Sequence, residues 1–80
     1  MGLDSGKTRL TIDVADRKGV LRDISTILAD LDINIDSMVT IPQPSGAYQI
    51  IIRADIADVD TVKDRLMAKG FTVSHVTHLG

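Results

Sequence analysis

The residues of this chain that could do chemistry lie just ahead of its strongest helical pattern. A helix is predicted to begin at Val20, and it is preceded by Asp16, Arg17, Lys18 and Gly19. Glycine permits a sharp turn from strand into helix. The first turn of a helix carries backbone N–H groups that have no intrahelical acceptor, and such groups bind carboxylates and other anions. The sequence therefore predicts that a small anion could bind at this turn.

A purely structural interpretation of the same turn is also open. The carboxylate of Asp16 could cap the helix, and Gly19 could serve only to permit the backbone bend. The cations of Arg17 and Lys18 could strengthen anion binding, or they could form a solvated rim. The residue types alone leave both interpretations in place.

The helix that follows the turn carries one continuous apolar stripe. The spacing of the stripe is that of an amphipathic helix. Its members are Val20, Leu21, Ile24, Ile27, Leu28 and Leu31. A stripe of this kind packs against an apolar surface, so the helix and the turn ahead of it should be held in place by a sheet.

Four strands are predicted from alternating apolar residues. They cover residues 9–14, residues 33–41, residues 47–54 and a segment that begins at Phe71. The two prolines and the glycine of residues 42–46 predict a turn between the second and third strands.

The strand patterns also predict which side chains share a face. In the second strand, Ile35, Val39 and Ile41 have the same phase and are expected to lie on one face. In the third strand, Ile51 falls on the face away from the helices and could form an apolar spot there. In the fourth strand the alternation slips near Ser74, which indicates a β-bulge.

A second helix is predicted between the third and fourth strands. Asp58 is expected to cap its start and Gly70 to end it. Its buried stripe is predicted to contain Val59, Val62, Leu66 and Met67.

The order strand, helix, strand, strand, helix, strand predicts an α+β fold. It is the ferredoxin-like βαββαβ arrangement, a four-stranded antiparallel sheet with two helices on one face. Right-handed crossovers would place the first and third strands in the centre. Residues 1–8 are expected to form an arm or linker, and residues 9–80 one domain. The bare sheet face and the two free edges favour self-association.

Composition excludes several classes of function. The chain has 80 residues, no cysteine and a net charge of -2. Its scattered lysines and arginines make nucleic acid an improbable partner. No apolar run approaches the roughly 20 residues that a membrane span needs. The sequence does not open on a signal-peptide pattern, so a cytoplasmic location is expected.

Catalysis and metal binding have little support in the sequence. No nucleophile with a neighbouring base is recognisable, so we do not expect an enzyme. His75 and His78 are three positions apart on a predicted strand and would point to opposite faces. No metal site and no cofactor are therefore expected.

The segment from residue 16 to residue 35 resembles the ACT domain, a small regulatory module of this same fold. The family pattern has an aspartate, a basic residue and a glycine, then a helix with spaced aliphatic residues, then an Ile-Asn-Ile-like start of the second strand. The matching residues are Asp16, Arg17, Gly19, Val20, Leu21, Ile24, Leu28, Ile33, Asn34 and Ile35. Lys18 stands where proline is commoner, which leaves the turn less rigid but adds a cation.

The resemblance implies a non-catalytic sensor that works as a homodimer, paired through the second strand and the first helix. Similar domains pair side by side through their second strands, and many bind an amino acid or a related small molecule at the interface. In that arrangement the turn of residues 16–21 faces Asn34 and its neighbour Ile35 from the other copy. The amides of Gly19, Val20 and Leu21 would hold an α-carboxylate.

Two further roles follow from the same resemblance. Asp16 could accept a hydrogen bond from an α-ammonium group, while Arg17 or Lys18 could strengthen anion binding. Asn34, which has both a donor and an acceptor, would close the site from across the dimer axis. The site would then contain residues of both copies.

Two subfamilies fit the chain. Most of its length is similar to ACT domains that follow a CBS pair in acetoin-utilisation-type proteins. Residues 21–26 are similar instead to the carboxy-terminal ACT domain of (p)ppGpp synthetase/hydrolases, which works through protein and RNA contacts and need not hold a small ligand. Both resemblances imply that this chain is part of a larger polypeptide.

Overall fold

The computed structural model describes residues 7–15 and 18–78 of the chain. Two candidate site residues, Asp16 and Arg17, lie outside these ranges, as do residues 1–6 of the expected arm and residues 79–80. The elements, in chain order, are β1 Lys7–Val14, α1 Val20–Asp30, β2 Ile35–Pro42, β3 Tyr48–Asp55, α2 Val59–Ala68 and β4 Thr72–His78. This order confirms the predicted succession of strands and helices.

The four strands form one sheet in the order β2-β3-β1-β4, and all neighbours are antiparallel. β1 and β3 are therefore central and β2 and β4 are edges, which confirms the predicted topology. β1 begins at Lys7, two residues earlier than the alternation predicted. Lys7 lies opposite Asp55 and extends the ladder between the central strands.

Both helices cover the same face of the sheet. The side chains that hold them there are without exposed surface and come from β1, β3, α1 and α2: Leu10, Ile12, Ile50, Ile52, Ile24, Leu28 and Leu66. Burial of one such side chain contributes about 1.5–3 kcal/mol relative to exposure. The shared core therefore fixes the position of α1, and with it the turn ahead of α1.

β2 departs from the predicted alternation at its start. Its register against β3 shifts between Ile35 and Ser37, which is a β-bulge. The extra residue of the bulge is Asp36. A bulge places two residues of one strand opposite one residue of its neighbour, and so it reverses the faces of all later residues.

The prediction that Ile35, Val39 and Ile41 share one face is therefore wrong. Beyond the bulge, Met38 lies opposite the buried Ile52 and packs against the core. Val39 and Ile41 point to the other face, where 51% and 38% of their surface is exposed. The open side of the sheet is consequently more apolar than the sequence pattern suggested.

Two predicted core residues of the helices are exposed. Leu21 retains 36% of its accessible surface and Met67 retains 60%. Each follows a buried residue, Val20 or Leu66, and one step along a helix turns a side chain by about 100°. Both side chains lie at the margin of a stripe whose centre alone reaches the sheet.

The bulge predicted in β4 is confirmed. Thr11 of β1 lies opposite His75, while Ile12 lies opposite Val73. Ser74 is the extra residue, and its hydroxyl donates a hydrogen bond to the Thr11 carbonyl at 3.2 Å.

Neither described helix has the length and apolar character that crossing a bilayer would require.

The start of α2 confirms the predicted cap. The Asp58 carboxylate accepts hydrogen bonds from the Thr61 amide at 3.2 Å and from the Thr61 hydroxyl at 2.7 Å. These two hydrogen bonds lower the pKa of the Asp58 carboxyl group below its ordinary value, and the bond from the hydroxyl has the larger effect. Gly70 has a φ of 89° just after α2, as expected of a helix terminator.

The depressed pKa of Asp58 leads to a prediction about pH. A carboxyl group with a lowered pKa in the folded state stabilises that state above its unfolded pKa, and the contribution is lost as the pH falls through the folded value. Asp58→Ala should therefore lower the melting temperature at pH 7 and have progressively less effect below about pH 4. Thermal unfolding followed by circular dichroism at several pH values measures this. Asp60→Ala, two residues further along in the first turn of α2, is the matched control. An equal loss of melting temperature in both variants would contradict the cap.

Candidate ligand-binding site

The turn ahead of α1 has the geometry that the sequence predicted for Gly19. Gly19 is the N-cap residue, with a φ of 74° and a ψ of -7°, in the left-handed region. The first intrahelical hydrogen bond is donated by the Asp23 amide to the Gly19 carbonyl at 3.1 Å. The bend is therefore made at a residue type that adopts a positive φ without steric cost.

The start of α1 is not capped by any side chain among the described residues. Most helices begin at a serine, threonine, aspartate or asparagine whose side chain accepts a hydrogen bond from a first-turn amide. Here the N-cap has no side chain. The amides of Val20 and Leu21 consequently precede the first helical hydrogen bond, at the positive end of the helix dipole, and no described side chain caps them.

The side chains around the turn have distinct environments. Val20 is buried and anchors the first turn of α1 in the core, so that only its backbone faces the site. Leu21 is partly exposed beside it, and Lys18 is exposed just ahead of Gly19. The described part of the turn therefore contains backbone donors, an exposed cation and a partly exposed apolar side chain.

Asn34 and Ile35 lie at the other end of the sheet. β1 and β2 both run antiparallel to β3 and so point in the same direction. Val14 at the end of β1 and Pro42 at the end of β2 both lie opposite Tyr48. The eight residues of β2 span roughly 26 Å. Within one chain the structure does not bring Asn34 to the turn.

The two residues also differ in what they present to the surface. The Asn34 side chain is exposed, while its carbonyl accepts a hydrogen bond from the Asp55 amide at 3.3 Å. The Ile35 side chain packs against the core, opposite Ala54. Asn34 could therefore offer its amide group to a ligand, whereas Ile35 has only backbone to offer.

An ion pair that the sequence did not reveal lies near Asn34. The Lys7 ammonium donates a hydrogen bond to the carboxylate of Asp36, the extra residue of the β2 bulge. This hydrogen bond is the main cause that raises the pKa of Lys7 above its ordinary value. The carboxylate of Asp36 thus favours the protonated form of the Lys7 amine. The pair ties the start of the edge strand to the start of β1.

The histidines are placed as predicted, on opposite faces. His75 lies opposite Thr11 on the open side of the sheet, and His78 lies opposite Thr8, whose side chain is buried. The Nδ1 atom of His78 is 3.4 Å from the Thr8 hydroxyl. Within residues 7–15 and 18–78, no three side chains of histidine, cysteine or acidic type are grouped to hold a metal ion.

The grooves found among residues 7–15 and 18–78 lie away from the candidate turn. Grooves of about 300 Å³ lie elsewhere, and one of about 320 Å³ runs between α1 and α2. It is lined in part by Asp23, Asp30, Arg65 and Lys69.

Comparison with known proteins gives this geometry a context. The sequence model of the ACT domain family matches residues 8–71. No curated protein matches the chain. Among solved structures, the chain is similar to two formyltetrahydrofolate deformylases. The one from Pseudomonas putida is 16% identical with a TM-score of 0.68, covering 91% of this chain and 29% of that one.

The deformylase from Pseudomonas syringae is 22% identical with a TM-score of 0.70, covering 89% of this chain and 26% of that one. A homoserine dehydrogenase from Thiobacillus denitrificans is 27% identical with a TM-score of 0.60, covering 99% of this chain and 18% of that one. The likeness to the deformylases establishes a shared fold. This chain spans less than a third of the length of each of the three structures.

Proposed function

This chain belongs to the ACT domain family, and from that premise we propose that it is a regulatory module that binds a small amino-acid-like effector at the start of α1. The amides of Gly19, Val20 and Leu21 donate hydrogen bonds to the α-carboxylate of the effector. A second copy, paired along β2, completes the site. The module controls an attached or partner protein and does not itself catalyse a reaction.

One observation carries this proposal. Gly19 begins α1 in a left-handed conformation without a side-chain cap among the described residues. Asp58 shows the contrast, because it caps α2 through its carboxylate in the same fold. A helix start whose amides are left for an external acceptor favours an anionic group. The exposed Lys18 adds a positive charge beside it.

The position of Asn34 supports the participation of a second copy. β2 is an edge strand, and another strand could pair along its outer side. If the β2 strands of two copies pair antiparallel, the start of β2 in each copy lies beside the end of β2 in the other. The partner's Asn34 would then lie at the end of the sheet where Gly19 begins α1. A ligand that touches both copies would couple binding to the geometry of the dimer.

The relatives support the idea of an attached catalytic region. The deformylases and the homoserine dehydrogenase are enzymes of which this fold forms a minor part. We infer that this domain likewise accompanies a larger functional unit, and that effector binding changes the activity of that unit. A CBS pair preceding the domain would agree with the first of the two subfamily resemblances.

A thermal-shift experiment tests the effector. A ligand at a hundred times its Kd stabilises the folded state by about 2.7 kcal/mol. In a domain of this size, that raises the melting temperature by roughly 10 °C or more. We expect at least one of the common amino acids at millimolar concentration to produce such a shift. Its decarboxylated amine is the matched control and should produce none.

Two results would contradict the proposal. The first is the absence of a shift with every amino acid. The second is an equal shift with the decarboxylated amine, because the carboxylate would then not be recognised. Either result would favour the alternative that the domain acts through contacts with protein or RNA, as the resemblance to (p)ppGpp synthetase/hydrolases implies.

A further inference from the structure

The side of the sheet that faces away from both helices, here called the open face, presents four rows of side chains across the strands. Side chains directly opposite one another in an antiparallel sheet point to the same face. A border row at one end contains Lys7 and Asp55. The next three, here numbered from that end, are Thr77, Arg9, Arg53 and Ser37, then His75, Thr11, Ile51 and Val39, then Thr72, Asp13, Gln49 and Ile41.

The first row places two arginines side by side. Arg9 of β1 lies directly opposite Arg53 of β3, and both side chains are exposed. Like charges in this position destabilise a sheet. Among the described residues, neither guanidinium group forms an ion pair. The carboxylate of Asp55 lies in the neighbouring border row but forms no ion pair with either arginine. The row therefore has donors that an acceptor on another molecule could bind.

The middle row supplies an apolar centre. Val39 lies opposite the half-buried Ile51, and 51% of the Val39 surface is exposed. Ile41, 38% exposed, continues the apolar surface into the third row. Two of the four large hydrophobic residues that the described chain exposes thus lie on the open face.

The third row carries polar groups that could accept hydrogen bonds from the arginines of the first row. Asp13 lies on the same strand as Arg9, four residues along, and Gln49 lies on the same strand as Arg53. A separation of four residues on a strand is about 13 Å, too far for contact within one chain. The central strands thus present donors at one end of the open face and acceptors at the other.

This arrangement is self-complementary under one two-fold rotation. We propose that a second copy of this chain packs on the open face, sheet against sheet, with the two-fold axis running across the strands through the middle row. Each strand of one copy then lies over the same strand of the other, reversed. Arg9 meets the partner's Asp13, and Arg53 meets the partner's Gln49. In the middle row, Ile51 and Val39 pack on the same residues of the partner, and Thr11 and His75 lie over their own copies.

Charge selects this orientation over the other face-to-face rotation. An axis running along the strands would keep each row in place and exchange β1 with β3. Arg9 would then face the partner's Arg53, which adds repulsion to a row that is already strained by like charges. Stacked sheets lie about 10 Å apart, a gap that an arginine side chain and an aspartate together span.

The open-face contact is separate from the pairing along β2 proposed above. It uses the surface of the sheet, whereas the other uses the edge. The edge axis would be normal to the sheet and the open-face axis lies in the plane of the interface, so the two axes are perpendicular. A tetramer of D2 symmetry could therefore contain both contacts.

Charge reversal at two positions tests the proposal, with mass measured by analytical ultracentrifugation. In Arg9→Asp, two aspartates face each other across the interface, and in Asp13→Arg, two arginines do. Each variant should associate through the open face at least tenfold more weakly than the wild-type chain. An equimolar mixture of the two variants should recover the association, because every opposed pair is then of opposite charge. The double variant Arg9→Asp with Asp13→Arg should also recover it.

The matched control is Arg65→Asp, a reversal of the same kind on α2, away from the open face. It should leave the mass of the assembly unchanged. Circular dichroism of each variant separates loss of association from loss of folding. The proposal is overturned if the wild-type chain and the mixture show the same mass as the single variants, or if the single variants associate as strongly as the wild-type chain. If Arg9→Asp still forms a dimer paired along β2, the edge contact forms without the open-face contact.

Discussion

Leu28→Ala is expected to lower the free energy of unfolding by about 2–5 kcal/mol, the range for removing a fully buried leucine. Leu28 has no exposed surface and belongs to the core cluster between α1 and the sheet. Small domains are stable by only about 5–15 kcal/mol, so this loss would be a large fraction of the total. The cavity would lie beneath the helix that carries the candidate turn.

Leu21→Ala on the same helix is the matched control. Leu21 retains 36% of its surface, and its truncation removes fewer buried contacts. We expect it to cost less than about 1 kcal/mol. Urea unfolding followed by circular dichroism measures both variants, with the slope against denaturant as a check on two-state behaviour. Equal losses from the two substitutions would show that α1 does not pack on the sheet as described.

The fold was predictable because its patterns are local. The α1 stripe follows the helical period, and Leu10, Ile12 and Val14 follow the strand period, so the neighbouring residues alone indicate each element. Asp58 and Gly70 mark helix ends through their own chemistry. The order of elements then restricts the topology to very few possibilities.

The contact between Lys7 and Asp36 could not be predicted, because the two residues are far apart in sequence. Asp36 in the β2 bulge is paired with Lys7, which is 29 residues away. The alternation does break beside Asp36, because Ser37 falls in the apolar phase and Met38 in the polar phase. The assignment of Val39 and Ile41 to the core face overlooked this break. In β4 the bulge was predictable because two valines, Val73 and Val76, break the alternation visibly.

The candidate site also has one part that the sequence could predict and one part that it could not. Gly19 could be identified because a strand-to-helix turn demands a residue that tolerates positive φ. The contribution of Asn34 could not be judged from sequence, because it depends on whether a second copy pairs with β2. The structure separates Asn34 from Gly19 within one chain, so Asn34 could join the proposed site only from a second copy.

Gly19→Val is expected to abolish the rise in melting temperature that the effector produces, while the domain still folds. An added Cβ at Gly19 would meet nothing within 4 Å, so the substitution causes no clash. The φ of 74° is nevertheless unfavourable for a β-branched residue, by about 1–2 kcal/mol. Valine would shift the backbone out of the left-handed region, and the amides that hold the carboxylate would turn away.

Gly70→Val separates this effect from general destabilisation. Gly70 has a φ of 89°, and an added Cβ there would also meet nothing within 4 Å. It lies after α2, next to the other edge strand, and contributes nothing to the proposed site. Both variants should therefore lose similar stability without ligand, but only Gly70→Val should keep the full thermal shift. A full shift in Gly19→Val would show that the effector binds elsewhere, because a displaced helix start could not hold its carboxylate.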